Sequence, residues 1–311
     1  MELGRGTNKN ADGTCLRAQL VEKRGEYIVT EGKKVMNEII VRQSELKRWL
    51  KCRRATYWGY TEGWTKPTDD KDVRGVGTHF HGLLAEYYGD EESEDLKMKF
   101  HPDDVALSQV MYDTYIPEVE EGGMDVGQET VAVEKRMFSK PIQVTEDTYY
   151  IVSCQVDQVY ADSTLQALIG RDHKTSAAFF NTAENDFQLM TYAMVLHDNG
   201  YLVDYMEHNI VKRNKRTGRA KPPFIQRNRI YVPHGAVTAW RSYLKEICWS
   251  HLRAHDLSDN VEGFSLYPNP DKDCSWGCDF VDVCSMVEQG EDYTAVLETE
   301  YQLREEEPHV N

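Results

Sequence analysis

Two β-forming runs lie almost end to end near the middle of the chain, "TYYIVSCQVDQVY" at 148–160 and "TLQALIGRDHKT" at 164–175. They are joined by Ala161-Asp162-Ser163, close enough for a hairpin to set the two strands side by side. Each run carries an acid that its pattern does not call for. Asp157 sits inside a strongly β-forming stretch, where an unpaired carboxylate is costly unless a cation or a donor meets it. Asp172 follows the apolar run "LQALIG", and Lys174 follows two residues later. Period-two alternation turns Asp172 and Lys174 to one face of the strand and His173 to the other, away from the chemistry. One face therefore presents two acids and an amine.

That trio suits phosphodiester hydrolysis. Mg²⁺ or Mn²⁺ is held by one or two carboxylates plus substrate phosphate, and the cation acidifies a bound water while neutralising phosphate charge. A lysine beside it can orient the water or stabilise the developing charge. On these residues alone, a strand end with a surface Asp–Lys pair stays open as the alternative.

The rest of the chain reads as a mixed β-sheet flanked by helices, an α/β fold. "EYIVT" and "NEIIVR" suggest a β-hairpin before residue 42, with Gly32 at the turn. Ser44 reads as the N-cap of a helix that ends near Gly59, and further helices are expected at about 78–88, 103–116 and 184–199. Strands are expected at 129–138, 201–211 and 224–232, then a helix from His234 to His255 and a disordered acidic tail over 291–311. Glu134, on the strand preceding Asp157, is a weaker site candidate. The chain has no run of 18 apolar residues and no apolar centre near its start, so the expectation is an intracellular protein without a membrane span.

A net charge of −16 argues against a polyanionic partner until its distribution is seen. Residues 208–253 hold eleven Lys/Arg against Glu246 alone, and residues 40–54 hold six against Glu45 alone. A basic lining within an acidic exterior would guide a nucleic-acid strand inward. Trp49, Tyr57, Trp58, Trp64 and Trp276 are candidates to stack on bases, though each is also a natural packing residue. The seven cysteines are odd in number, and three fall within eleven residues, which favours metal or cofactor ligation over a disulfide framework. No GxxxxGK[ST] motif occurs, so an ATP-driven helicase would be a separate partner.

These residues resemble the PD-(D/E)XK nucleases, and among them the RecB-type branch that carries an iron–sulfur cluster, which includes CRISPR-associated and phage exonucleases. "CQVD" at 154–157 is similar to the GxxD signature, with Cys154 in place of the usual glycine. Asp172-His173-Lys174 matches (D/E)XK, "GTHFH" over Gly77–His81 matches GTxxH, and Gln188 with Tyr192 matches QxxxY. The likeness spans roughly residues 40–287. It implies a restriction-endonuclease-like core in which His81, Asp157 and Asp172 bind Mg²⁺ or Mn²⁺, Lys174 assists water attack, and Gln188 and Tyr192 support the substrate.

In that branch, one cysteine precedes the core and three follow it. The resemblance thus implies a [4Fe–4S] cluster on Cys52, Cys274, Cys278 and Cys284, tying both chain ends together. The first gap of "CSWGCDFVDVC" is one residue longer than usual. Zn²⁺, which also takes four thiolates, remains the alternative. Cys248 with His251 and His255 forms a second possible zinc set, read as a chance grouping on an amphipathic helix. The implied organisation is an N-terminal hairpin extension at 1–42, a cluster region from 43–75 and 234–290, and a nuclease core at 76–233. The implied activity is a DNA exonuclease favouring single-stranded ends, with a DNA-binding scaffold subunit of a recombination or spacer-acquisition complex as the alternative.

Overall fold

The computed structural model describes residues 36–67, 75–89, 93–260 and 266–304; the side chains at 185, 255–260 and 276 lie outside the description. In chain order the elements are β1 (Asn37–Arg42), α1 (Gln43–Lys51), α2 (Arg53–Thr56), β2 (Trp64–Thr65), α3 (Gly75–Tyr88), α4 (Pro102–Glu120) and β3 (Gln128–Phe138). There follow β4 (Ile142–Gln143), β5 (Thr148–Asp162), β6 (Ala167–Ser176), α5 (Phe187–Asp198), β7 (Tyr205–Lys212), β8 (Ile225–Tyr231) and α6 (His234–Asn260). The last are α7 (Cys274–Gly277), α8 (Val281–Gln289), α9 (Thr294–Glu300) and β9 (Gln302–Leu303).

Among the described residues, seven strands form one mixed sheet in the order β1-β5-β6-β7-β8, with β3 and β4 on β5. β1 runs parallel to β5 and β6 parallel to β7; the other pairs are antiparallel. Helices α1, α5 and α6 cover one face, where Leu46, Trp49, Leu189, Ala193, Val195 and Leu244 pack on Tyr150, Val152 and Met206. On the other face α3 and α4 bring Phe80, Leu84, Met111 and Tyr115 against Val211 and Ile225. The glycine of "LIGRD" has a packing reason. A Cβ at Gly170 would stand 2.6 Å from Met206 Sδ and 3.0 Å from a Leu196 methyl, so its absence lets α5 lie close on β6 and β7.

Several expectations change. β1 is not part of a local hairpin in the described chain: it pairs in parallel with β5, and its expected partner at 26–30, with Gly32, lies outside the described residues. Ser44 is not an N-cap, because β1 runs straight into α1 with Arg42 at the cap position and no side-chain cap. The helix expected to reach Gly59 is interrupted at Cys52, whose extended backbone (φ −158°, ψ 113°) separates α1 from α2. The tail is structured as far as Arg304. Leu297 and Tyr301 are buried against Phe280 and Trp58, and β9 pairs with β2, so apolar anchors that an acidic composition conceals hold 294–303 in place. Residues 305–311 lie outside the description.

Candidate active site

The site forms where the sheet forks. β1 occupies one edge of β5 over Thr148–Ser153, and β6 takes over that edge at Gln158–Asp162. The last β5–β6 rung is Gln158 with Arg171. One residue beyond it on each strand stand Asp157 and Asp172, where β6 continues along its parallel partner β7 with Asp172 beside His208. Asp157 Oδ2 accepts the His173 backbone N–H at 2.6 Å, a side-chain bond where a ladder bond would otherwise be. Sequence alternation breaks here as well: Val156 belongs to the α5 side, whereas Gln158 binds Arg171 of the opposite face.

Two groups of side chains meet across this fork. The first is His81, Glu134 and Asp157, each offering one ligand atom, all within 4.8 Å of one another. His81 comes from α3, with Nδ1 3.6 Å from Asp157 Oδ2. Its helix can approach because position 77 is glycine, where a Cβ would lie 3.3 Å from Thr175 Oγ1 of β6. Glu134 sits on β3 with a left-handed backbone, φ 44°, and its Oε2 accepts from Gln155 Nε2 at 2.8 Å. A left-handed non-glycine residue costs about 1–3 kcal/mol, and here that strain coincides with the residue that completes the group.

The second group is a hydrogen-bonded chain on the α5 side. Lys174 Nζ donates to Asp172 Oδ1 at 2.8 Å and to Gln188 Oε1 at 3.1 Å. Gln188 Nε2 also lies 3.1 Å from Asp172 Oδ1 and 2.7 Å from Tyr192 Oη. Asp186 caps α5 by accepting from the Gln188 and Leu189 N–H groups, so the helix starts where Gln188 can reach β6.

Electrostatics divide the groups. Burial pushes the Asp157 carboxyl up to about 6, with His81 opposing and the Asp172 charge adding to the rise. Lys174 moves the other way from what burial dictates: burial lowers its pKa, but Asp172 and Asp157 more than compensate, so the amine is raised and stays an ammonium. Burial also drives His173 well below the ordinary imidazole range, with Arg171 adding to it. Asp172 Oδ2 is buried and has no hydrogen-bond partner among the described residues. Three convergent ligand atoms, one of them on a buried carboxylate, are the chemistry of a divalent-cation site.

The structure thus brings Asp157, Asp172, Lys174, Gln188 and Tyr192 into one neighbourhood with His81. It does not place Asp172 within the tight ligand group; Glu134 takes that position. One further residue had no motif to announce it. His208 is 1% exposed, with its Nε2 3.7 Å from Asp172 Oδ2 and 3.9 Å from Asp186 Oδ2. Its register opposite Asp172 on a strand read as plain β was the available signal. His173 faces away from Lys174 as expected, yet its amide holds Asp157.

The cysteines gather at a second locus. Cys52, Cys278 and Cys284 border an apolar cluster of Trp58, Phe280, Val283, Leu297 and Tyr301. Cys52, Cys274, Cys278 and Cys284 are all free thiols. Burial raises the Cys278 thiol, with a smaller contribution from Cys52 and Cys274 nearby. Arg54 Nη1 donates to Cys284 Sγ at 3.3 Å, and Lys51 reaches Asp273 at 2.9 Å, so α1 and α2 are tied to α7 and α8. Cys248 is buried in the main core, and His251 bonds Tyr150 Oη at 3.1 Å and lies 3.3 Å from Glu45, so both have structural employment; His255 lies outside the side-chain description.

The expected basic lining and stacking platforms are thinner than composition suggests. Arg227 and Arg229 turn inward to Asp125 and Glu207, Arg241 pairs with Asp198, and Arg54 is buried against Glu288. Trp49 and Trp58 are buried in cores.

Comparison with known proteins gives a family. Residues 42–285 match the model described as "PD-(D/E)XK nuclease superfamily". Among solved structures, SSO0001 aligns at 10% identity over 85% of this chain and 91% of its own, with a TM-score of 0.38. A "Putative exonuclease" from Eubacterium rectale aligns at 10% identity over 78% of this chain and 86% of its own, with a TM-score of 0.46. No curated protein matches the chain in sequence. The family model spans most of the chain, including the fork and both ligand groups, and the protein belongs to the PD-(D/E)XK nuclease superfamily.

Proposed function

We propose that the protein is a divalent-metal-dependent DNA exonuclease acting on single-stranded ends, with Asp157, Asp172, Lys174, Gln188 and Tyr192 as its reactive set. The observation that carries this reading is the Lys174 ammonium, held by Asp172 and Gln188 beside the His81–Glu134–Asp157 group. His81, Glu134 and Asp157, with the free oxygen of Asp172, would hold Mg²⁺ or Mn²⁺. Such a cation polarises the phosphate and acidifies a water. Lys174 cannot serve as a general base while it remains an ammonium, so its work is to donate to the attacking water or to a phosphate oxygen that gains charge. Gln188 fixes the Lys174 head from the other side, and Tyr192 fixes Gln188.

Purified protein mixed with end-labelled single-stranded DNA and Mn²⁺ tests the claim. Wild type should shorten the strand from an end, and Lys174→Ala and Asp172→Ala should not. An inert wild type, or variants that cleave as fast as it does, would overturn the proposal.

The four thiols at the second locus support a [4Fe–4S] cluster on Cys52, Cys274, Cys278 and Cys284, joining the segments on either side of the core. An anaerobic preparation should be brown, with about four irons per chain by that stoichiometry. A colourless preparation with stoichiometric zinc would replace iron by zinc at the same residues.

A further inference from the structure

The mixed sheet ends on one side at β8, which pairs with β7 alone among the described residues. Register fixes which of its backbone groups face outward. Lys212 N–H donates to the Phe224 carbonyl and Val232 N–H to the Asp204 carbonyl, so residues 224, 226, 228, 230 and 232 exchange their bonds with β7. The backbone groups of Arg227, Arg229 and Tyr231 therefore point away from the sheet, and none has a backbone partner among the described residues. Open edges are ordinarily blunted by a bulge, a proline or an outward charge. β3, which pairs with β5 alone among the described residues, has a register shift between Thr130 and Ala132 and the left-handed Glu134. β8 has no such device. Its register is unbroken, it contains no proline, and its two arginines turn inward, Arg227 to Asp125 at 2.6 Å and Arg229 to Glu207 at 2.7 Å.

At the end of this edge a hollow of about 620 Å³ opens between β8 and α6. Ala236 and Ala239 leave the room for it, and Tyr231, Trp240 and Tyr243 supply aromatic walls. The rings are braced from behind. Trp240 Nε1 donates to Thr191 Oγ1 at 3.1 Å, and its ring lies 5.5 Å from Phe187 and 5.1 Å from Tyr243. Tyr231 lies 5.5 Å from Tyr205. Tyr231 and Tyr243 are 64% and 46% exposed, so both offer ring surface to an incoming group. Two charged residues line the hollow. Arg229 is compensated by Glu207, whereas Glu184 has no partner among the described residues. Aromatic rings around one free carboxylate attract a cation and oppose a phosphate.

We propose that β8 docks an extended segment of a basic partner protein, which pairs with it as an added strand and places an arginine or lysine side chain in the hollow beside Glu184. Main-chain pairing supplies the affinity, and the pocket for one side chain supplies the selectivity. Charge selects this occupant over others. A net charge of −16 attracts a basic protein and opposes a second copy of the chain. A second β8 also brings no free cation, because both of its arginines are engaged. A nucleic-acid strand would set its phosphates against Glu184. None of the reactive residues lines the hollow, and the inference does not rest on the nuclease reading.

The test is fluorescence polarisation with the full-length protein and a short, labelled, capped peptide of alternating threonine and valine whose central residue is arginine or glutamine. The arginine peptide should bind about tenfold more tightly, the weight of one cation over aromatic rings in a partly desolvated site. Glu184→Gln should bring that ratio toward one and leave the glutamine peptide unaffected, and Tyr243→Leu should weaken the arginine peptide more than the glutamine peptide. N-methyl groups on alternate backbone nitrogens should abolish binding in one phase and spare it in the other, because an added strand presents only every second N–H to β8. Absence of binding by both peptides, equal binding of the two, or loss in both methylation phases or in neither overturns the proposal. Displacement of the peptide by oligothymidylate would give the hollow to nucleic acid, and a wild-type dimer in sedimentation that the peptide breaks would give the edge to a second copy; either result overturns it as well.

Discussion

Consecutive residues of β6 enter two environments that treat buried charge in opposite ways. Arg171, fully buried, donates to Glu207 at 2.7 Å, Gln128 at 2.8 Å, Gln158 at 3.0 Å and Tyr88 at 3.4 Å. Glu207 receives Arg229 as well, at 2.7 Å. Burial alone would raise the Glu207 carboxyl, but Arg171, Arg227 and Arg229 reverse it, and its pKa is lowered. One residue further along β6, Asp172 keeps a buried oxygen without a hydrogen-bond partner among the described residues, and Asp157 across the fork is raised to about 6. The network under α3 and α4 has matched its charges internally. The fork pairs Lys174 with Asp172 but leaves the other Asp172 oxygen without a hydrogen-bond partner among the described residues and the Asp157 carboxyl raised, and the contrast distinguishes a closed ion network from a candidate ligand site.

The largest test of that contrast is Lys174→Met. Removing the ammonium should lower the cleavage rate about 10²- to 10⁴-fold, the usual weight of a positioned proton-donating group, with a smaller loss of melting temperature, because Lys174 is 31% exposed and Asp172 keeps the Gln188 amide. Cleavage measured against circular dichroism melting separates the two effects. Glu207→Gln should do the reverse. Taking one partner from a buried ionic cluster costs about 3–5 kcal/mol because the arginines stay buried with less compensation, so stability falls while the rate per folded molecule persists. A Glu207 variant that melts normally but fails to cleave would erase the distinction between the faces.

The sequence reveals the fork side better than the network side, for physical reasons. Asp157, Asp172 and Lys174 stand out because charge inside a β-forming run needs an explanation, and Gln188 and Tyr192 share a helix face through their spacing. Arg171 and Glu207 are 36 residues apart on strands that pair only in the folded sheet, so neither shows its partner locally. Glu134 reads as the weaker candidate because its place in the ligand group depends on a left-handed backbone and on the alternation break near Asp157, neither of which leaves a mark on composition. The tail misleads for the opposite reason: its acidic residues outnumber the two anchors, Leu297 and Tyr301, that decide its fate.

Glu134→Gln measures how far the unmatched charge serves a cation. Loss of this carboxylate should weaken Mn²⁺ binding at least about tenfold by isothermal titration, with little change in the metal-free melting temperature. Equal Mn²⁺ affinity in the variant would remove Glu134 from the ligand group and leave its strain without a functional account.

The smallest effect is a pH dependence confined to the metal-free protein. Asp157 has a folded pKa of about 6 against an ordinary 3.8, so the folded chain keeps a proton that the unfolded chain has already lost. Between about pH 4 and pH 6 unfolding therefore releases a proton, and stability falls as pH rises through that window. Below the window Asp157 is protonated in both states and contributes nothing to the slope; above it the full penalty of a buried carboxylate is present. In chelator, Asp157→Asn should match wild type near pH 4 and melt higher than wild type above pH 6, because the amide carries no charge to bury. Saturating Mn²⁺ should cancel or invert that advantage, since the cation compensates the carboxylate and not the amide. The Glu207 network predicts the contrary slope for its own acid: its lowered pKa gives stability that is present above the ordinary carboxylate range and lost on acidification. Thermal melts of wild type, Asp157→Asn and Glu207→Gln, taken above pH 4 for Asp157 and below about pH 4.5 for Glu207, would thus show opposite trends for the two acids, and parallel trends would mean that both faces of β6 bury charge in the same way.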